Sequence, residues 1–513
     1  MISCTVTIDP AFVIAPVPSR LFGSFVEHMG RCVYGGVYDP GHEQANDQGL
    51  RKDVLDLVRE LGISVVRYPG GNFVSSYNWE DGVGPVDERP VRLDLAWRSI
   101  EPNTFGLGEF MDWARLAQIE PMMSVNLGLR GVADAVNLLE YTNFPGGTKY
   151  SDLRISHGQT RPYGIRLWCL GNEMDGPWQI GHKSADAYGV LADETAKAMR
   201  QVDPNVELVL CGSSNSHMPT YGSWEATVLE HAYEHVDYIS LHAYFEQSGD
   251  DRTGFLGSAC VMDDFINGVV ATCDHVAAKN HIRRKMILSF DEWNIWNESR
   301  FVGQTNLEWA KAPRLIEDEY TTEDAVVVGN LLMSLLRHSD RVGIACLAQL
   351  VNVIAPIRAE ARGMAWRQSI FYPFALTAQN ARGDVLRVEP KTDLIHSPNI
   401  GDIPVVDVVA THDNQTDEIT IFTVNRHQEE EVILELQLIT GEHYEIAEQF
   451  VLGGQDLLQT NNQQAPQRVK PRASKTAILR EDGVMVKLPP VSWTMLRLIS
   501  HTGESCKIKQ EVD

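Results

Sequence analysis

Two short segments carry the residue types from which acid–base chemistry is built. One reads Leu170-Gly171-Asn172-Glu173, the other Phe290-Asp291-Glu292-Trp293-Asn294. Each closes an apolar run with a glutamate. Two carboxyl groups facing one bond are what glycoside cleavage needs, one protonated and one ionised. For that division of labour, their surroundings must drive the two pKa values apart. Glu173 has Trp168, Met174 and Trp178 near it in sequence, which suits a partly apolar pocket. Glu292 is bracketed by Asp291, Trp293, Asn294 and Trp296, a mixture of donors and rings.

These segments need elements that aim them at one point. Eight near-continuous apolar runs lie between about residue 20 and 375: Phe22–Val26, Ser64–Tyr68, Met122–Asn126, Arg166–Leu170, Glu207–Cys211, Tyr238–His242, Met286–Phe290 and Ile344–Gln349. Such runs suit strands buried on both faces. Between the first two, Leu50, Val54, Leu55, Leu57, Val58 and Leu61 form one helical stripe, and similar patterns cover about 183–202, 259–279 and 322–338. The alternation predicts an α/β (β/α)8 TIM barrel, whose chemistry sits where the strands end. Reading just past each run meets Glu27-His28, Arg67 and Asn72, Asn126, Asn172-Glu173, His242 and Tyr244, Asp291-Glu292 and Asn294, and Gln349 and Asn352. Nearly all can hydrogen-bond a hydroxyl. None is a lysine, which counts against Schiff-base chemistry.

After about 375 the period changes to short strands, at 419–424, 432–438, 484–488 and 493–498, separated by turn clusters. This pattern predicts a C-terminal antiparallel β-sandwich, jelly-roll-like. The alternation at Cys4–Ile8 suggests a strand joining it. The expected division is residues 1–15 as that strand, 16–375 as the barrel and 376–513 as the sandwich, with 459–476 a long loop.

Composition narrows the partners. The chain has 44 Lys+Arg against 69 Asp+Glu, a formal charge of −25. Such a surface repels phosphate backbones and anionic lipid, so no nucleic-acid or membrane partner is expected. No apolar stretch reaches the ~18 residues of a span. The eight cysteines are scattered without a CxxC and read as buried free thiols of a reducing compartment. With the first basic residue at Arg20 and no signal core, a cytoplasmic location is expected.

Longer motifs then bear a resemblance. Arg67-Tyr68-Pro69-Gly70-Gly71-Asn72, the stretch Trp168-Cys169-Leu170-Gly171-Asn172-Glu173-Met174-Asp175-Gly176-Pro177-Trp178-Gln179, and Ser289-Phe290-Asp291-Glu292-Trp293-Asn294 resemble the α-L-arabinofuranosidases of glycoside hydrolase family 51. The similarity extends from Phe22-Gly23-Ser24-Phe25-Val26-Glu27-His28 to the tail strands. It implies a retaining exo-enzyme acting on arabinan, arabinoxylan or derived oligosaccharides, without cofactor or metal, with Glu173 as acid/base and Glu292 as nucleophile. It further implies that Glu27, Arg67, Asn72, Asn172, Tyr244 and Gln349 hold the furanose, that Trp97 and Trp296 line the pocket rim, and that the chain forms a homo-oligomer, often a hexamer.

Other roles compete for the same residues. Arg67 can pair with a barrel carboxylate and position Glu292 instead of touching sugar, and Asn172 can cap a helix. His242 can orient a catalytic carboxylate or fill the barrel mouth. An endoglucanase or β-xylosidase would use the same scaffold, and a sugar-binding barrel would lack the carboxylate pair. His231-Ala232-Tyr233-Glu234-His235 matches an H-x-x-E-H zinc motif, but it precedes the sixth run and so falls at the opposite rim from the strand-end cluster.

Overall fold

The eight apolar runs become eight parallel strands: Arg20–Phe25, Val65–Tyr68, Glu120–Val125, Leu167–Leu170, Glu207–Leu210, Tyr238–Phe245, Ile287–Ile295 and Val342–Leu347. They follow one another in chain order around a closed barrel, and the eighth pairs with the first. The computed structural model describes residues 2–301, 308–440 and 443–500, so Cys506 lies outside the described residues. The seven described cysteines are free thiols. No helix among the described residues is long and apolar enough to cross a membrane.

The sixth and seventh strands run further than their apolar stretches. After a register shift between Ser240 and His242, pairing continues as His242 opposite Glu292, Tyr244 opposite Asn294 and Phe245 opposite Ile295. An apolar run ends at its first charge. The strand does not, because at the barrel mouth these polar side chains find partners across the strands. At the other end, Arg20 closes the barrel. It donates to Glu120 on the third strand at 2.6 and 2.7 Å, to Glu207 on the fifth at 2.5 Å, and to the Tyr238 hydroxyl on the sixth at 3.2 Å.

The helices follow their stripes. Lys52–Leu61 buries Val54, Leu55, Leu57, Val58 and Leu61, and the other patterned stretches form Ala185–Val202, Ser258–Lys279 and Thr322–Arg337. Thr322–Arg337 is covered nearly all round, because the C-terminal sheet packs on the side the barrel leaves free. Gly329 makes that approach possible: a Cβ there would fall 2.5 Å from the Trp493 ring.

The C-terminal part is a two-sheet sandwich. One sheet runs Val13–Pro16, Asp384–Leu386, Val406–Asp413, Glu418–Asn425, Ser492–Ser500, Tyr444–Gly453 and Arg472–Ala473; the other runs Ile2–Ile8, Val432–Leu438, Gly483–Leu488 and Ile478–Arg480. Between them lies a second core of Cys4, Val6, Ile8, Ile421, Leu434, Val486 and Leu498. Three details differ from the sequence pattern. Ile2–Ile8 joins the sandwich but runs parallel to Val432–Leu438, an orientation that alternation alone does not encode. Val13–Pro16 pairs with Asp384–Leu386, which carries the N-terminal sandwich segment one residue past the expected boundary at 15. The helix Phe371–Asn380 crosses residue 375 and packs on the barrel helices Lys52–Leu61 and Thr322–Arg337, so sandwich strands resume only at Asp384.

Charge also ties the two parts together. Asp407 on a sandwich strand accepts from Arg426 at 2.9 Å, from Asn330 at 2.8 Å, and from Arg337 at the end of the buried helix. Arg426 is 1% exposed. Removing one member of a buried pair strands the other charge and costs about 3–5 kcal/mol. Asp407→Ala should therefore lower the urea midpoint strongly, with Asp407→Asn intermediate; an unchanged midpoint in both would show that the cluster contributes nothing to cohesion.

Candidate active site

Five barrel strands and the turns after them converge at the mouth. Glu292 and Asp291 lie within the seventh strand, His242 and Tyr244 within the sixth, and Arg67 within the second. Glu173 sits three residues beyond the fourth strand at φ 44°, on a turn opened by Gly171. Glu27 follows the first strand by two residues. All except Tyr244 are less than a tenth exposed.

Packing this many carboxylates together requires cations among them. His242 lies at the centre. Its Nδ1 is 2.9 Å from Glu173 Oε1 and 3.5 Å from Glu292 Oε2, and its Nε2 is 3.0 Å from Asp291 Oδ1. Burial opposes its charge, but Glu292, Asp291 and Glu173 outweigh burial and push the imidazole up to about 10. Arg67 supplies the second cation. It donates from Nη1 to Glu292 Oε1 at 2.7 Å and from Nη2 to Asn172 Oδ1, with Asp291 at 4.0 Å from Nε. Burial again works against this charge, and Asp291 and Glu292 more than offset it. The Tyr244 hydroxyl donates to Glu292 Oε2 at 2.8 Å.

Glu173 is held differently. Burial raises its pKa above the usual carboxyl range; the His242 hydrogen bond pulls it down, and the Glu292 charge pushes it up again. Its Oε2 accepts from the Trp178 indole N–H at 2.7 Å. The apolar surroundings expected from Trp168, Met174 and Trp178 are therefore only partly present. The Trp168 indole faces away, bonded to the Ile165 carbonyl at 2.9 Å, and Trp178 comes as a donor. Nothing in the spacing distinguishes those two indoles.

A second group of residues borders the pair. Glu27 accepts from the Phe73 backbone at 2.9 Å, the Trp97 indole at 2.7 Å and Gln349 Nε2 at 3.0 Å. Burial nonetheless pushes its carboxyl up to about 8, against the pull of those donors. Asn172 caps no helix: its Nδ2 reaches Asn72 Oδ1 at 3.3 Å, and the next helix begins at Ala185. Trp296 packs edge-on against Tyr244, with ring centroids 5.2 Å apart. Gln349 Oε1 and Trp296 Nε1 are buried with no hydrogen-bond partner, which leaves an acceptor and a donor for a hydroxylated ligand.

Four of the polar residues at strand ends serve the fold. His28 bridges Glu101 and the Tyr68 hydroxyl, each at 2.9 Å. Asn126, Asn294 and Asn352 spend their amides on backbone groups of the loops beside them. His231 and His235 are bound to Asp186 and Asp193 at 2.9 and 2.8 Å, so the H-x-x-E-H pair does not converge on one point. Among the described residues, one set has spacing that could grip a metal. Single atoms of Glu173, His242 and Glu292 lie within 4.8 Å of one another. Both ring nitrogens of His242 already face carboxylates, Nδ1 to Glu173 and Nε2 to Asp291, an arrangement that suits an imidazolium donating to both.

A two-carboxylate barrel mouth of this composition has close relatives. The model for the α-L-arabinofuranosidase 1 domain matches residues 57–252, and that for the α-L-arabinofuranosidase C-terminal domain matches 291–492. An intracellular exo-α-(1→5)-L-arabinofuranosidase from Acetivibrio thermocellus is 49% identical, over 96% of this chain and 98% of its own. The like-named protein 1 from Bacillus subtilis is 50% identical over the same shares. A solved family 51 α-L-arabinofuranosidase from Bifidobacterium longum superposes with a TM-score of 0.94 at 42% identity, covering 97% of this chain and 99% of that one. The chain belongs to the family 51 α-L-arabinofuranosidases. The resemblance read from the motifs and the barrel-plus-sandwich architecture both hold across this family member. A family 44 endoglucanase from Clostridium thermocellum, at 12% identity and a TM-score of 0.56, shares the fold alone.

The buried cation makes stability pH-dependent. A folded-state pKa of about 10 for His242, against ~6.5 for free imidazole, stabilises fully below ~6.5. That stabilisation is lost as pH rises through about 10. Thermal melting should thus fall across this window, and His242→Gln should flatten the slope. An equally steep slope in the variant would place the titration elsewhere.

Proposed function

We propose that the chain is a retaining, exo-acting α-L-arabinofuranosidase that removes terminal non-reducing α-L-arabinofuranosyl residues from arabinan, arabinoxylan or derived oligosaccharides. One observation carries the reading. An oxygen of Glu173 and one of Glu292 lie within 4.8 Å, with His242 between them. Retaining pairs stand ~5–5.5 Å apart, whereas inverting pairs are ~6.5–9.5 Å apart to admit a water.

Glu292 attacks the anomeric carbon while Glu173 gives its proton to the departing oxygen, leaving a glycosyl ester on Glu292. Glu173, now a carboxylate, takes a proton from water. The hydroxide attacks the same carbon, and Glu292 leaves. Arg67 and Tyr244 fix Glu292 for attack, so Arg67 acts as a positioning residue. Glu27, Asn72, Asn172 and Gln349 hold the furanose, with Trp97 and Trp296 at the rim. Linkage choice differs among the relatives: a Bifidobacterium longum protein 49% identical to this chain is named an exo-α-(1→6)-L-arabinofuranosidase. The intracellular naming of several relatives supports a cytoplasmic site of action on imported oligosaccharides. The homo-oligomer implied by the resemblance belongs to the same reading.

The test separates the two glutamates by leaving group and stereochemistry. Wild type should cleave aryl α-L-arabinofuranosides well ahead of β-D-xylosides and β-D-glucosides; the reverse ranking would favour the endoglucanase or β-xylosidase reading. A general acid is worth ~10²–10⁴ in rate. Glu173→Ala should lose that factor in the glycosylation step on poor leaving groups and keep most of this step on a dinitrophenyl arabinofuranoside. Added azide should then speed turnover and give an arabinosyl azide of retained configuration. Glu292→Ala should lose every substrate, and azide should give the inverted product. Exchanged stereochemistry would mean exchanged roles.

A further inference from the structure

The Trp178 indole is too well anchored to be an incidental surface ring. It is 49% exposed, yet its segment is tied down on both sides. Asp175 accepts from the Ser214 backbone at 3.0 Å and from its hydroxyl, and the Gln179 amide donates to Ser75. Within the turn, the Gly176 N–H bonds the Glu173 carbonyl at 2.9 Å and the Gln179 N–H bonds the Gly176 carbonyl at 3.0 Å. The ring lies close against Gly176, where a Cβ would fall 2.6 Å from it. Only glycine lets the indole sit low enough to reach Glu173 Oε2 at 2.7 Å.

That contact separates the two oxygens of Glu173. Oε1 faces the buried His242. Oε2 faces the half-exposed indole. A carboxylate oxygen accepts an N–H strongly, whereas the hydroxyl oxygen of a protonated carboxyl accepts poorly. The indole bond therefore strengthens as Glu173 gives up its proton and weakens as the proton returns. We propose that Trp178 is a positioning residue for the acid/base. Its N–H holds Oε2 in place and stabilises the carboxylate left after proton transfer, which sets the alkaline limit of activity. This rests on Glu173 being the acid/base, as proposed above. The other groups around Glu173 are accounted for. From the sixth strand come His242 and Tyr244, and from the seventh Asp291 and Glu292. Arg67 reaches it only through Asn172, and Asp175 on its own loop is turned to Ser214. None of these is a donor to Oε2.

Trp178→Phe keeps the ring and removes the N–H. On an aryl arabinofuranoside with a poor leaving group, the alkaline limb of kcat/KM should move up by about one pH unit, the worth of one hydrogen bond to a charged group. Deglycosylation, followed as kcat on the dinitrophenyl substrate, should need a higher pH to reach its plateau, because the base is harder to ionise. Trp178→Ala should shift both limbs the same way and raise KM besides. An unmoved alkaline limb in Trp178→Phe, with KM alone raised, would reduce the indole to a stacking surface and overturn the proposal. Glu173→Gln, run alongside, should abolish the limb. If it leaves the limb in place, the acid/base assignment fails first; if it removes the limb and Trp178→Phe does not move it, only the role of Trp178 falls.

Discussion

Everything at the barrel mouth depends on one electrostatic constraint: Glu173, Asp291 and Glu292 are buried within reach of a single imidazole. Carboxylates cannot stay ionised away from water without partners. His242 and Arg67 supply two positive charges for these groups, and their placement decides what each carboxylate can do. Arg67 and Tyr244 hold both oxygens of Glu292, which orients it for the attack proposed for it. Glu173 has one oxygen against His242 and the other on an indole at the solvent edge, so it can exchange a proton. Asp291 touches neither route and steadies His242 from behind. The division of roles proposed for the two glutamates rests on which donors each oxygen meets.

The barrel provides that arrangement because parallel strands place successive residues of different segments side by side. The His242–Glu292 pairing across the sixth and seventh strands is a register fact before it is a chemical one. Arg20 closes the far end with Glu120 and Glu207, so the charged groups at both ends are paired and the interior between them is filled by Val65, Met122, Leu167, Cys169, Val209, Ile344 and Cys346. Among the described residues, the hydrogen bonds and ion pairs of Glu173 and Glu292 come from the barrel and its loops. The sandwich covers Thr322–Arg337, the helix that leads into the eighth strand, and it fixes that helix through Trp493 and Asp407.

Much of this was legible in the sequence, for a physical reason. Strands buried on both faces leave apolar runs, and all eight runs correspond to barrel strands. Reading past their ends located both glutamates and most of their neighbours. The parts that escaped share a cause as well. His28, Asn126, Asn294 and Asn352 stand at strand ends exactly as ligand-binding groups would, but satisfy backbone and side-chain groups nearby, and residue type does not reveal that. Alternation showed Ile2–Ile8 to be a strand without showing its direction. Trp178 read as apolar surroundings because a sequence gives the ring and not the aim of its N–H. Arg67 was open between sugar and carboxylate, and the distances place it on Glu292 and Asn172.

The central claim is that Glu292 bonds to the sugar while Glu173 handles the proton. It is tested most directly by trapping the intermediate. Glu173→Ala incubated with a dinitrophenyl arabinofuranoside should glycosylate and then stall, since the base for water is gone. Mass spectrometry of the quenched, digested protein should find one pentosyl increment, on the peptide carrying Ser289-Phe290-Asp291-Glu292, with fragmentation placing it on Glu292. A pentosyl increment on any other residue, or stoichiometric release of dinitrophenol that leaves no adduct and yields inverted arabinose, would contradict the account.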